Sequence, residues 1–220
     1  TSFLDRFLPK LDEYEDLLTR NHIYIERTRN VGVISKEHAL AYSLVGPIAR
    51  AAGVPYDVRT YFPYLGYETF DFDVPVRTEG DVYARYLVRI AEMRESVKIC
   101  RQALARITPT GPFAIDDPRI TPPPKDRVYS EMEALIHHFL IYSQGFTVPA
   151  GEAYVPVEGP RGEQGFHVVS DGTNRPWRVK SRAPSLLACQ ALEQMVVGGL
   201  IADVVAVIGS IDVVMGDVDR

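Results

Sequence analysis

Apolar residues along this chain recur mostly at helical spacing. The clearest run is Tyr83, Tyr86, Ile90, Met93, Val97, Cys100, Leu104 and Ile107, whose intervals alternate between three and four. That period predicts one helix of roughly 25 residues, a central strut of a bundle with Cys100 facing the core. Arg85, Arg89, Glu92, Arg94, Glu95 and Lys98 fall mostly on its other faces. Upstream, residues 12–29 carry Asp12, Glu13, Glu15 and Asp16 early and Arg27 and Arg29 late. This polarity suits a helix dipole. Ser35, with Glu37 and His38, opens a further predicted helix that runs to about Ala52 and stops at Gly53, before Pro55.

Other stretches break the helical period. From Tyr56 to Val76, aromatic residues alternate with prolines and glycines, as in a loop that packs over a neighbouring surface. Residues 108–125 contain Pro109, Pro112, Pro118, Pro122, Pro123 and Pro124 and form a connector. A helix is expected from about Asp126 to Gly145. Three alternating runs follow, Glu152–Val157, Gly165–Ser170 and Arg175–Arg182, separated by Gly159-Pro160-Arg161-Gly162 and Asp171-Gly172-Thr173-Asn174. They predict a small antiparallel meander. Leu186–Val197 returns to helix. The apolar stretch from Met195 to Met215 is interrupted by Asp203 and Asp212 and reads as a buried helix followed by an extended segment rather than a membrane span. The predicted class is α+β, mainly α with a small antiparallel β insert. The helical part covers 1–146, the meander about 150–183, and the C-terminal helix and tail 185–220.

With 220 residues the chain can bury a sizeable core. Its 46% hydrophobic and 24% charged residues are ordinary for a globular protein. A formal charge of −5 argues against nucleic acid as the main partner, since phosphate binding needs a basic footprint. Cys100 and Cys189 belong to no CxxC or Cys/His cluster, so no local zinc or iron–sulfur site is expected. A reducing compartment fits two such cysteines better than a disulfide. The charged start Thr1-Ser2-Phe3-Leu4-Asp5-Arg6 lacks the apolar core of a signal peptide. A chain that opens without methionine, cap or strand is expected to be part of a longer polypeptide.

Candidate chemistry is sparse. His137 and His138 are adjacent, and neighbouring helical residues point about 100° apart, so they cannot chelate one ion together. A polar helix-packing contact is the better reading, even with Glu133 four residues before His137. No GxSxG occurs, so a serine nucleophile cannot be picked without geometry, and without a Walker loop or GxGxxG the chain is not expected to bind a nucleotide itself. On a strand, Arg178, Lys180 and Arg182 project to one side. They suit either a solvated edge or, preferably, a face that docks onto acidic groups of this chain or a partner. Asp212 follows an apolar run and is expected to be at least partly buried, either exchanging protons or held in an ion pair.

The tail Asp212-Val213-Val214-Met215-Gly216-Asp217-Val218-Asp219-Arg220 resembles the Asp-Pro-Cys-x-x-Cys-x-x-His end of nickel–iron hydrogenase large subunits. Asp212 keeps the Asp, Val214 and Asp217 stand at the cysteine positions, and Arg220 stands at the final His. Pro160-Arg161-Gly162 is similar to the hydrogenase Pro-Arg-Gly loop. Valine cannot ligate a soft metal. Longer segments are more specific: Gly46–Gly53 with Asp57 and Arg59, Gly80–Tyr86, Met132–Phe139, Gly151–Tyr154 and Ser170–Pro176. With the tail, these identify the chain as similar to the C-terminal half of the hydrogenase-large-subunit-like component of NADH:quinone oxidoreductase, respiratory complex I.

That resemblance implies a hydrogenase-large-subunit-like fold, with 1–220 as the C-terminal part of one domain, in the peripheral arm. The side is cytoplasmic at a bacterial inner membrane, or the matrix in mitochondria. It implies quinone as substrate, reduced in a chamber at the former metal site in the course of redox-driven proton translocation. The 4Fe–4S clusters and FMN belong to partner subunits. The neighbours implied are the small subunit with the terminal cluster and the membrane-arm subunit at the quinone entrance. Asp212 and Val214 carry over as chamber wall, and Arg161, Arg178, Lys180 and Arg182 as pocket or interface candidates. The family's quinone-binding His and Tyr lie outside this segment, so no catalytic residue is assigned. A related membrane-bound hydrogenase or dehydrogenase subunit, or a non-catalytic assembly scaffold, are the alternatives.

Overall fold

A computed structural model describes residues 2–107, 111, 112, 114, 115 and 117–219. Pro109 of the connector and Arg220 of the tail lie outside the described residues. The observed class is α+β, and the chain divides into two compact units.

The first unit comprises 1–107, 156–165 and 181–220. Its N-terminal helices are α1 (Ser2–Tyr14), a π-helical turn at Glu15–Thr19, and α2 (His22–Thr28). The helical start thus lies ten residues earlier than the charge pattern indicated. Asn21 breaks the run because its side chain caps α2, accepting from the Ile23 amide at 2.9 Å. Ser35 caps α3 (Lys36–Ala41), as expected, by accepting from His38 N. The predicted single helix to Ala52 is two. Ser43 and Gly46 adopt positive φ, and α4 (Gly46–Ala51) restarts with Pro47 in its first turn. A short α5 (Val58–Tyr61) and a 3₁₀ turn at Tyr67–Thr69 punctuate the aromatic loop.

Helix α6 (Val82–Arg106) has the length and place that the seam predicted. Asp81 fixes its start. One carboxylate oxygen accepts from Ala84 N at 2.7 Å and the other from Asn30 N at 2.8 Å. The buried face differs from the seam, however. Ala84, Arg85, Val88 and Ile99 are buried beside Ile90 and Val97, whereas Cys100, Leu104 and Ile107 are exposed. The core assignment of Cys100 is therefore corrected. The middle and later turns of α6 carry ion pairs to the N-terminal helices, Arg94 with Asp12 of α1 and Glu15 of the π-helical turn, and Arg101 with Asp5 of α1.

Beyond the sheet lie α9 (Pro184–Gln190), α10 (Leu192–Val196), α11 (Asp203–Ile211) and α12 (Met215–Asp219), following in sequence α7, α8 and the strands given below. The extended tail expected after a buried helix is instead a left-handed residue, Asp212 (φ 52°), and one further helical turn. The core joins Ile34, Leu44, Ile48 and Val82 to Ala188, Met195, Val207 and Ile211. Segments from the two ends of the chain thus share one apolar centre.

The second unit comprises 108–155 and 166–180. It holds α7 (Lys125–Ser130) and α8 (Met132–Ser143), which interrupt at Glu131 what the pattern gave as one helix. The meander has strands β1 (Gly151–Gly159), β2 (Gly162–Ser170) and β3 (Pro176–Arg182) in the order β1-β2-β3. Asp171 shapes the second turn by accepting from Thr173 N at 3.0 Å. The ring of His138 lies against Tyr142, with centroids 4.6 Å apart. No described helix is long and apolar enough to cross a membrane.

Candidate functional site

The turn between β1 and β2 carries Pro160-Arg161-Gly162, and the first unit brings it to the tail. Arg161 Nε donates to the Asp212 carbonyl oxygen at 2.6 Å, and a terminal guanidinium nitrogen donates to Asp212 Oδ1 at 3.2 Å. Five residues on, Asp217 Oδ2 accepts from Ser185 N at 2.8 Å. The tail is pinned at both points, and Val214, 40% exposed, stands between them. Val214 and Asp217 line a cleft of about 310 Å³ with Pro160 and Arg161. The side chain of Asp212 is 47% exposed, and it pairs with Arg161 from a left-handed backbone.

This donor set does not suit nickel or iron. Neither thiolate nor imidazole occurs at the two hydrogenase cysteine positions, and the carboxylates of Asp212 and Asp217 already serve as hydrogen-bond acceptors. Among the described residues, no group of three or more His, Cys, Asp or Glu is placed to hold an ion.

Beside the clasp lies a buried charge network. Arg50 on α4 is 2% exposed and donates to Glu92 at 2.6 Å, to Glu158 at 3.0 Å and to the Tyr56 carbonyl at 2.9 Å. Asp57 stands 3.5 Å away and takes two hydrogen bonds from the Arg59 guanidinium, at 3.0 and 2.7 Å, and one from the Arg59 amide at 2.9 Å. Glu158 also accepts from Val58 N at 3.1 Å. Tyr56 donates to Glu163 at 2.8 Å. Burial pushes the Glu92 and Glu158 carboxyls above their ordinary range against the pull of Arg50. Burial acts likewise on Asp57, but the Arg59 guanidinium outweighs it and holds the carboxyl low. Desolvation and the hydrogen bond to Glu163 raise the Tyr56 phenol.

Two larger clefts meet near Asp212. One, of about 480 Å³, is lined by Tyr24, Tyr86, Arg89, Ser210 and Asp212 among others. The other, of about 350 Å³, is lined by Arg50, Arg59, Arg89, Glu92, Glu158 and Asp212 among others. Both volumes suit a small organic ligand. Behind them Arg85 is fully buried and donates to Ser210 Oγ at 2.9 Å, Gly80 O at 2.8 Å and Gly32 O at 3.0 Å. Burial, with repulsion from Arg89, pushes its guanidinium down to about 10.

Of the residues singled out in the sequence, Asp212, Val214 and Arg161 come together. Arg182 belongs to the same unit but is engaged elsewhere, donating to Glu163 O at 2.8 Å and Ser43 O at 3.0 Å. Arg178 and Lys180 lie in the second unit, both exposed, and make no ion pair among the described residues. Apart from Asp212, the charges lining the clefts were not singled out for a site. A signal for them exists: Arg85, Arg89 and Glu92 are spaced four and three apart, so one face of α6 bears a charged stripe. Arg50 stands alone in the otherwise apolar Pro47–Ala52.

Comparison with known proteins places this geometry in a family. A family model described as the 49 kDa subunit of respiratory-chain NADH dehydrogenase matches residues 1–220. Subunits of NADH-quinone oxidoreductase, all of the D type, are similar along nearly the whole chain. That of Koribacter versatilis is 53% identical over 218 residues, covering 99% of this chain and 54% of that protein. That of Herpetosiphon aurantiacus is 52% identical over 220 residues, covering 99% and 52%. That of Geotalea uraniireducens is 52% identical over 217 residues, covering 99% and 55%. The chain spans about half the length of the curated relatives it matches. It belongs to the family of the 49 kDa subunit of respiratory-chain NADH dehydrogenase.

Proposed function

We propose that this chain forms part of the wall of a quinone-reduction chamber in an NADH:quinone oxidoreductase that couples electron transfer to proton translocation. The observation that carries the reading is the clasp of Arg161 on Asp212. It holds the tail beside the Pro-Arg-Gly turn, where the hydrogenase resemblance has a metal centre, yet the side chains there are valine and carboxylates already bonded. A cleft remains that suits an organic ring.

In this reading residues 1–220 are the C-terminal part of one hydrogenase-large-subunit-like domain. Asp212 and Val214 form chamber wall, Arg161 fixes them, and Arg182 anchors the end of β3. Arg178 and Lys180 offer a cationic face to a partner. Electrons reach quinone from the terminal 4Fe–4S cluster of the small subunit, quinone enters beside a membrane-arm subunit, and FMN and NADH stay with other subunits. The assembly sits peripherally on the cytoplasmic face of a bacterial inner membrane. The chain's own work is to position the ring and set the charge around it.

Substituting Val214→Phe in the assembled complex tests the proposal. A bulkier wall is expected to alter sensitivity to quinone-site inhibitors while assembly stays normal. Unchanged quinone reduction and unchanged inhibitor sensitivity in a normally assembled complex would instead favour a purely structural scaffold.

A further inference from the structure

The two clefts that meet near Asp212 share only Arg89 and Asp212 among their lining residues. Asp212 is engaged with Arg161. The other arginines lining these clefts are hydrogen-bonded to carboxylates, Arg50 to Glu92 and Glu158, and Arg59 to Asp57. Arg89 differs. Asp212 and Glu92 attract it electrostatically, but it makes no hydrogen bond among the described residues. A guanidinium carries five N–H donors in a rigid fork, and since no fully buried side-chain nitrogen lacks a partner among the described residues, those of Arg89 stay open to the cleft. Burial lowers its proton affinity. The walls beside it are aromatic: Tyr24 and Tyr86 meet edge to face with centroids 5.2 Å apart. The Tyr86 hydroxyl is already paired with Thr19 at 3.0 Å.

A fork of free donors beside aromatic walls suits a flat ring bearing electronegative oxygens. We infer that Arg89 grips the ligand of this chamber, donating to a ring oxygen of a quinone seated against Tyr24 and Tyr86. The inference rests on the quinone function proposed above and adds a contact to the head group from within this segment. Quinone becomes quinol by taking two electrons and two protons. The electrons come from the reduced iron–sulfur cluster that the proposed function assigns to a partner, and the protons come from water. Arg89 supplies neither. Its fixed charge stabilises the ring oxygens as negative charge builds on them, so it favours the reduced, anionic state over neutral quinone.

The test uses Arg89→Met and Arg89→Lys in the assembled complex, with NADH as donor, a short-chain ubiquinone as acceptor, and assembly followed by native electrophoresis. Arg89→Met is expected to lower kcat by about 100-fold. The effect on kcat should exceed that on KM, because the contact strengthens as charge develops. Arg89→Lys keeps the charge without the fork and should recover part of the loss. Normal assembly with kcat and KM unchanged in Arg89→Met overturns the inference. If Arg89→Met does not assemble, a photoreactive quinone analogue decides on the wild-type complex. Labelling of the segment 83–93 that excess quinone displaces supports the inference, and labelling confined to other segments overturns it. The two readings fail separately. If Val214→Phe shifts inhibitor sensitivity while Arg89→Met leaves kcat intact, only the role of Arg89 falls. If neither substitution has an effect, the chamber itself falls.

Discussion

Gly46 and Gly162 pack backbone against backbone. A Cβ on Gly162 would stand 2.6 Å from the Gly46 amide nitrogen, and one on Gly46 would stand 2.6 Å from the Gly162 Cα. Both glycines have positive φ, +66° and +114°. The contact locks the Pro-Arg-Gly turn to the start of α4, and from there Arg161 reaches Asp212. Gly162→Ala is expected to cost about 2 kcal/mol or more, combining left-handed strain with the clash. Urea unfolding of the full-length protein measures it. A loss below about 0.5 kcal/mol, the level of a neutral surface change, would show that the turn moves aside freely.

Arg161→Met separates stability from site geometry. The pair it breaks is well exposed, at 30% and 47% for the two side chains. Its loss should therefore cost no more than about 1 kcal/mol. The tail would lose its anchor at Asp212, however, and quinone reduction or inhibitor sensitivity should change well beyond that. Steady-state kinetics with inhibitor titration on the assembled complex provide the check. A change in stability with wild-type kinetics would contradict the positioning role.

Arg50→Met should be among the most damaging single changes. It would strand Glu92 and Glu158 around a buried apolar group, while Asp57 keeps Arg59. Removing one partner of a buried ion pair costs about 3–5 kcal/mol, since the remaining charge is uncompensated. Adding Glu158→Gln to Arg50→Met should restore part of the loss. A double-mutant cycle in denaturant that showed strict additivity would rule out direct coupling of the two residues.

The same network fixes two opposite pH dependences. The native state holds the proton of Glu92 to a higher pH than the unfolded chain does, where the ordinary value is 4.5. Its contribution to folding is complete below that value and is lost as pH rises through the folded one. Asp57 is depressed from its ordinary 3.8, so its contribution is present above that value and lost as pH falls through the folded one. Glu92→Gln should flatten the decline in stability on the alkaline side of 4.5, and Asp57→Asn the decline on the acid side of 3.8. Denaturant midpoints across both windows measure the slopes.

Much of the local structure was legible in the residues. The span of α6 follows from its apolar period and from Asp81 at its start, and the three strands follow from alternation and their Gly- and Pro-bearing turns. The helix breaks at Asn21, Ser43 and Glu131 were less legible, because a cap or one left-handed residue interrupts a run without altering its polarity. The family was readable from the segments in common.

Tertiary structure decided which faces are buried and which charges meet. Cys100 shares a seam with Ile90 and Val97, but only the latter two are covered, because α1 meets that end of α6 through ion pairs. Arg85 and Arg50 carry charge on helices yet are buried, since their acceptors arrive from residues up to 125 and 108 positions away. Arg161 and Asp212 are 51 residues apart. Caps, turns and periodicity act between residues a few positions apart, so the sequence by itself displays them. The burial of a charge depends on whether the fold delivers an acceptor to it, and no local pattern encodes that.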